Sequence, residues 1–206
     1  EALVALTGEH HGESGNAQAL GLEIISRMRD KCDEFTKETG LNFTLLATPA
    51  EGLSGRFVRI DRERYGVIEG VTDREYYTNS FHVPVYYPTT AAHKIDVEAP
   101  YHTLCNAGHI SYVELDGAMK NNPEAFESVI DYMHDTGIGY GSVNHPLDRC
   151  PVCGYQGVIG NVCPQCGVSE EEAHFSRIRR ITGYLVGDMD RWNDAKRAEE
   201  NDRVKH

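Results

Sequence analysis

Two CxxC pairs in the last third of the chain constrain its fold more than any other feature. The four cysteines are Cys150, Cys153, Cys163 and Cys166. A glycine directly follows each pair, at Gly154 and Gly167, where a tight turn needs a permissive backbone. Four thiolates at this spacing predict one closed, tetrahedral metal site with a structural role. Zinc is the default ion, and iron held by the same four thiolates is the alternative.

The composition indicates a soluble, globular chain with reduced thiols. Hydrophobic residues make up 40% of the 206 residues and charged residues 25%, which allows a real core. The N-terminus lacks an export signal, so we expect a cytoplasmic protein with no membrane partner, and a secreted disulfide framework is the alternative. A net charge of −12 argues against direct nucleic-acid binding, because phosphate contacts need clustered Lys and Arg. Since Glu1 stands where an initiator Met would, we expect a piece of a longer chain.

Hydrophobic periodicity and turn residues predict a mixed α/β order. Helices are predicted over 17–39 with Asn16 or Ser14 as the cap and Gly40 as the stop, from the cap residue Asn122 to Gly137, and over the tail from near Asp188. Strands are predicted over 42–47, 81–87, 109–115 and 138–143. Residues 1–16 are expected to form a loop that exposes His10 and His11.

A glycine in the segment 180–187, with sequence RITGYLVG, is the second informative feature. The segment resembles the RVxGY signature of glycyl radical enzymes, with Ile in place of Val. Loss of an α-hydrogen leaves a planar carbon radical shared between the amide nitrogen and the carbonyl, and a side chain would crowd that form. The resemblance makes Gly183 the radical position. On these residues alone, a β-turn glycine before a helix is the alternative.

Four further stretches make the resemblance specific. They are 47–52 (ATPAEG), 77–84 (YTNSFHVP), 106–112 (NAGHISY) and 191–200 (RWNDAKRAEE). Together with the cysteine pairs and the RITGY segment, they follow the order found in one family. Nearly the whole chain resembles the C-terminal third of an anaerobic (class III) ribonucleoside-triphosphate reductase.

This resemblance implies a domain organisation and a metal. Residues 1–145 would be part of a ten-stranded α/β barrel. Residues 146–170 would be a zinc-binding four-cysteine module, and residues 171–206 the glycyl radical loop with a C-terminal helix.

It also implies an activity and partners. Family members convert ribonucleoside triphosphates to deoxyribonucleotides after a radical S-adenosylmethionine activase with an iron–sulfur cluster removes a hydrogen from the loop glycine. The radical then passes to a cysteine on a finger loop, expected upstream of Glu1, since neither Cys32 nor Cys105 has the right setting. Formate or a thiol system supplies electrons, and a homodimer is expected for the full-length enzyme. This chain alone is therefore not expected to turn over.

Other polar residues have more than one interpretation. Thr48, Pro49, Ala50 and Glu51 follow a predicted strand, where α/β barrels place active-site loops, and they would contact substrate or form a structural turn. His82 and His109 are expected to be structural. The tail charges from Lys196 to Lys205 are expected to form a solvated helix face, and contact with the activase or an adjacent domain is the alternative. The alternatives to the reductase are a zinc-ribbon scaffold without catalysis and a spare-part radical subunit for a damaged enzyme.

Overall fold

The part of the chain that the structure describes begins with four helices, and its second half contains two small sheets and two further helices. The computed structural model describes residues 1–115, 119–145, 147–180, 185–186 and 192–206. The helices are α1 (Ala2–Thr7), α2 (Gly15–Thr39), α3 (Gly52–Tyr65), α4 (Ala91–Leu104), α5 (Pro123–Asp135) and α6 (Asp194–Asp202), with one 3-10 turn at Met119–Asn121. The strands are β1 (Ser111–Glu114), β2 (Gly141–Asn144), β3 (Leu147–Arg149), β4 (Gln156–Gly157), β5 (Ser176–Arg180) and β6 (Leu185–Val186).

The mixed α/β class is confirmed at this coarse level. The described residues form a two-stranded and a four-stranded sheet, and they do not form a closed ten-stranded barrel. Within this part of the chain, no helix combines the length and the apolar composition that crossing a bilayer requires.

Three neighbouring chain segments run in the same direction. β1 and β2 pair in parallel, with Ser111 opposite Gly141. Just before β1, Gly108 forms a parallel bridge with Leu46, and the N–H of Ala47 donates to the carbonyl of Gly108 at 3.0 Å. The predicted strand over 42–47 is thus reduced to this bridge. Parallel segments joined through helices are the pattern of an α/β sheet.

Local signals set the ends of the two helices that the sequence predicts best. The side chain of Ser14 accepts the N–H of Ala17, so Ser14 rather than Asn16 caps α2, and the helix ends at Gly40 with φ of 70°. Asn122 caps α5, and Pro123 occupies its first position as expected.

The apolar face of α2 is only partly used inside this chain. Ile24, Met28 and Phe35 recur at helical spacing and form an apolar stripe, yet all three are exposed. Ile25 enters the core with Tyr101 of α4, and Ala17 and Gly21 of the same helix are also buried. The described residues therefore leave this apolar stripe of α2 uncovered.

Burial on several sides explains the helix that sequence patterning missed. α4 buries Lys94, Ile95 and Glu98 along with apolar neighbours, and it contains Pro100, so it shows no simple amphipathic period. α1, within the expected loop 1–16, and the polar α3 were also missed.

The strand predicted over 81–87 is wrong. These residues form turns, because Pro84 lacks an N–H and the N–H of Val83 donates to the carboxylate of Glu98 at 2.8 Å instead of to a neighbouring strand.

The second sheet is antiparallel, and the cysteine pairs lie in the turns next to its strands. Its strand order is β4-β3-β5-β6, and Leu147 lies opposite Ile178 where β3 meets β5. The small core beside it consists of Cys150, Ile159, Cys163 and Phe175. Cysteine side chains thus supply half of this core.

The C-terminal helix begins later than predicted and is less exposed. α6 starts at Asp194 and not near Asp188, and residues 187–191 lie outside the described part. Lys196 and Glu199, expected on a solvated face, are buried and pair with each other. Beyond α6, the N–H of His206 donates to a carbonyl of β1 at 2.8 Å, so the tail is fastened to the first sheet.

Candidate functional site

The four cysteines of the CxxC pairs converge on one point. The Sγ atoms of Cys150 and Cys166 lie 3.7 Å apart, as do those of Cys153 and Cys163. Sulfurs bound at about 2.3 Å to a tetrahedral ion lie about 3.8 Å from one another, whereas disulfide sulfurs are about 2.05 Å apart. All four thiols are free, and their Sγ atoms lie within 4.8 Å of one another. The arrangement can hold one metal ion.

Both CxxC turns use the same backbone pattern. The N–H of Gly154 donates to the carbonyl of Cys150 at 3.0 Å, and the N–H of Gly167 donates to that of Cys163 at 2.9 Å. The two glycines have φ of 78° and 76°, in the left-handed region where a side chain would be strained. The role expected for these glycines is confirmed.

Backbone groups favour a thiolate at one of the four sulfurs. Burial opposes ionisation of Cys163, but the N–H groups of Cys166 and Gln165 and the neighbouring thiols lower its pKa to about 7. Since the thiolate is the form that binds metal, this sulfur is available to a cation near neutral pH.

A buried carboxylate joins the cysteine module to β5. Asp148, fully buried on β3, accepts the N–H of Ile159 at 2.8 Å. It also pairs with Arg177 at 3.1 Å and with Arg179 at 2.6 Å, both on β5. Arg179 extends the network to Glu200 of α6 at 2.8 Å. Sequence reasoning did not single out Asp148, although its place two residues before Cys150 was an available signal.

The end of β5 is held against the first sheet and the tail. The guanidinium of Arg180 donates to the hydroxyl of Ser142 on β2 and lies 4.8 Å from the ring centroid of Tyr112 on β1. The side chain of Arg203 donates to the carbonyl of Arg180 at 2.9 Å. These contacts hold the C-terminal end of β5 in place.

Gly183 lies outside the described residues, within 181–184. The residues on either side of that segment are described: Arg180 of β5 lies opposite Leu185 of β6 in an antiparallel pair. The segment with the candidate radical glycine thus connects two paired strands.

Three of the stretches that carry the resemblance line one cavity of about 250 Å³. Among its lining residues are Thr48, Pro49, Asn79, Ser80, His82, His109 and Tyr112. Ala50 and Glu51 are half-buried beside it, and Glu51 is the residue before α3. The structure therefore brings 47–52, 77–84 and 106–112 together, although they are far apart in sequence.

The turn at one wall of the cavity is fixed by a strained residue. Ser80 has φ of 46°, which is uncommon for a residue with a side chain. Its hydroxyl donates to the carbonyl of Thr48 at 2.6 Å, and the N–H of Ala50 donates to the same carbonyl at 3.0 Å.

The expectation that His10 and His11 are surface residues is wrong. Both are buried, and Nε2 of His11 lies 2.8 Å from the carbonyl oxygen of Phe81. Burial lowers the pKa of His11 to about 4, so its ring is neutral at physiological pH. His11 therefore helps to position the 77–84 stretch, and the ring of His10 packs against that of Tyr87.

The fold and the site define an α/β chain with a four-cysteine group able to hold a metal ion. A family model described as "Anaerobic ribonucleoside-triphosphate reductase" matches residues 1–206. The chain belongs to the anaerobic ribonucleoside-triphosphate reductase family.

Curated relatives agree with this assignment. The chain is 42% identical over 205 residues to the anaerobic ribonucleoside-triphosphate reductase of Salmonella typhimurium, covering 97% of this chain and 28% of the relative. It is 42% identical over 193 residues to that of Enterobacteria phage T4, covering 91% of this chain and 31% of the relative. The chain thus spans less than a third of the length of these relatives.

Solved structures show the same fold. One described as an anaerobic ribonucleotide reductase has a TM-score of 0.74 at 23% identity, covering 94% of this chain and 29% of that one. The anaerobic ribonucleotide reductase from Thermotoga maritima, with glycerol in the active site, has a TM-score of 0.65 at 22% identity, covering 84% of this chain and 26% of that one.

Proposed function

We propose that this chain is the C-terminal, radical-bearing part of an anaerobic ribonucleoside-triphosphate reductase, which converts ribonucleoside triphosphates to deoxyribonucleotides for DNA synthesis. The observation that carries the proposal is the family match over the whole chain. The shared cavity supports it further, because a zinc-ribbon scaffold or a spare radical subunit would have no use for one.

The proposed division follows the family. Residues 1–145 are part of a ten-stranded α/β barrel, 146–170 are the zinc module, and 171–206 are the radical loop and its helix. The parallel alignment of Leu46, β1 and β2 supports the first assignment. The antiparallel sheet around the cysteines supports the second.

In this proposal Gly183 stores the radical. A radical S-adenosylmethionine activase removes one α-hydrogen, and the remaining electron is shared along the adjacent peptide groups. The chain's own contribution is positional, because Arg180 and Asp148 tie β5 to the first sheet and to the cysteine module. Zinc, held by the four cysteines, would supply folding energy and no chemistry, since a site with four protein ligands is closed.

Thr48, Pro49, Ala50 and Glu51 are proposed to contact the ribonucleoside triphosphate. Thr48 and Pro49 line the cavity, and the turn leads directly into the N-terminus of α3 at Gly52. Backbone N–H groups and the helix dipole favour a phosphate at such an end. The Ser80 hydroxyl, bonded to Thr48, would keep the turn in place as substrate enters.

The remaining catalytic parts are proposed to come from an upstream segment. Cys105 packs against Ile25, Leu45 and Tyr101, and burial raises its pKa, so it is a poor candidate for the thiyl cysteine. The upstream segment would supply that cysteine and the rest of the barrel. The assembled enzyme is proposed to be a cytoplasmic homodimer whose electrons come from formate or a thiol system.

Oxygen provides a simple test of this function. The protein, with its upstream segment, is activated anaerobically with activase, S-adenosylmethionine and a reductant, and is then exposed to air. We expect cleavage at Gly183 that releases a piece beginning near Tyr184, because oxygen attacks a backbone radical where it resides. Intact-mass spectrometry measures the piece. Gly183→Ala should remain whole, and activase-dependent cleavage at another residue would refute the assignment.

A further inference from the structure

A second group of potential metal ligands lies apart from the four cysteines. His82, Glu98 and His109 place their ligand atoms within 4.8 Å of one another. His82 belongs to the 77–84 turns, Glu98 to α4, and His109 to the residues just before β1. Three separate parts of the chain thus converge on this point.

The group is buried and its polar atoms are unsatisfied. Glu98 is 0% exposed and His109 is 4% exposed. Oε2 of Glu98 and both ring nitrogens of His109 have no hydrogen-bond partner among the described residues, and the nearest partner of His82 Nδ1 is Oε1 of Glu98 at 3.5 Å. Buried polar groups are nearly always paired in native proteins, so several unpaired atoms facing one another indicate a missing ligand.

The carboxylate of Glu98 is anchored through one of its two oxygens. Oε1 of Glu98 accepts the N–H of Val83 at 2.8 Å and pairs with the ammonium of Lys94. Nδ1 of His82 also lies 3.5 Å from Oε1, and Oε2 has no hydrogen-bond partner among the described residues, so Oε2 can bind a cation. Ligating carboxylates are commonly fixed by such outer hydrogen bonds.

The neighbouring His102 differs from His109 because both of its ring nitrogens have hydrogen-bond partners. The ring of His102 lies 4.2 Å from that of His109. Its Nε2 lies 3.0 Å from the hydroxyl oxygen of Ser111, and its Nδ1 accepts the N–H of Gly139 at 3.2 Å. Both nitrogens of His102 are therefore in use, in contrast to those of His109.

We propose that His82, Glu98 and His109 form a second metal site that takes a divalent transition ion such as Zn²⁺. Two imidazoles and one carboxylate suit such ions and leave a coordination position open. His82 and His109 also line the cavity of about 250 Å³, which gives an entry path and room for a further ligand. The Lys94 ammonium repels a cation, so this site binds more weakly than the four thiolates.

Metal stoichiometry tests the site without reference to catalysis. The protein is stripped with chelator, saturated with Zn²⁺, freed of excess ion and measured by plasma mass spectrometry. We expect two zinc ions per chain in the wild type, and one in His109→Gln, His82→Gln or Cys150→Ser. The matched control, His102→Gln, should keep two. A chelator titration should remove the ion at His109 first.

A wild-type protein that holds a single zinc ion at saturation, unaltered by His109→Gln, would overturn the proposal. So would a second ion that survives both histidine variants. If His109→Gln does not fold, His82→Gln decides the question, because the side chain of His82 is 12% exposed and its loss disturbs the core less.

Discussion

Replacing Cys150 with serine is expected to abolish tight metal binding by the four-cysteine module and to unfold the residues around both CxxC turns. Cys150 is 0% exposed, and its sulfur is one of the four that converge. The module has little other core beyond Ile159 and Phe175. Structural zinc contributes about 10–16 kcal/mol of apparent binding energy in comparable small modules, so its loss exceeds what the remaining packing can offset.

Metal content and hydrogen exchange of residues 147–180 measure this effect. Cys32→Ser is the matched control, because Cys32 is a half-buried free thiol on α2, away from the module. It should keep the metal and the exchange protection. Retention of both by Cys150→Ser would show that the cysteines do not hold a structural ion. The yield of the Gly183 radical should fall with the metal if the module positions that segment.

Replacing Asp148 with alanine is expected to cost about 3–5 kcal/mol, the usual effect of removing one partner from a buried ion pair. The carboxylate is 0% exposed, and Arg177 and Arg179 would be left facing a cavity. The amide of Ile159 would also lose its acceptor. Denaturant titration of the protein measures the loss in unfolding free energy.

An exposed aspartate serves as the control. Asp135 pairs with His134 in full contact with solvent, at 77% and 87% side-chain exposure. Asp135→Ala should therefore change the free energy of unfolding by less than about 1 kcal/mol. Equal effects of the two substitutions would mean that the Asp148 network does not bind the module to β5.

Features that depend on residues close together in the sequence could be predicted. The metal module depends on a few cysteines and two glycines within a short stretch, and the backbone turns follow from those residues alone. The ends of α2 and α5 follow from Ser14, Gly40 and Asn122. Each signal acts within one helical turn, so no tertiary contact is needed to recognise it.

Features that depend on tertiary contacts could not be predicted. The charge of Lys196 suggested a solvated helix face, yet tertiary packing buries it together with Glu199, its partner three residues along the same helix. The 81–87 segment alternates like a strand, but Glu98 takes the N–H of Val83. In both cases, packing or a hydrogen bond from another part of the fold overrides the local sequence signal.

The candidate cavity could be predicted only in part from the sequence. Its three stretches were recognised individually by resemblance, but nothing in the sequence indicated that Thr48, Ser80 and His109 share one wall. The bond between Ser80 and Thr48 joins two of them. Convergence of separate motifs is a property of the fold, so it had to be seen in three dimensions.

Electron paramagnetic resonance of the anaerobically activated protein shows directly whether Gly183 carries the radical. We expect an activase-dependent doublet, split by the remaining α-hydrogen of Gly183, that narrows to a single line when glycine is supplied deuterated at that carbon. The signal should be absent from Gly183→Ala. A doublet that persists in Gly183→Ala, or no signal from wild-type protein with an active activase and the upstream segment present, would contradict the assignment of this chain as the radical-bearing part.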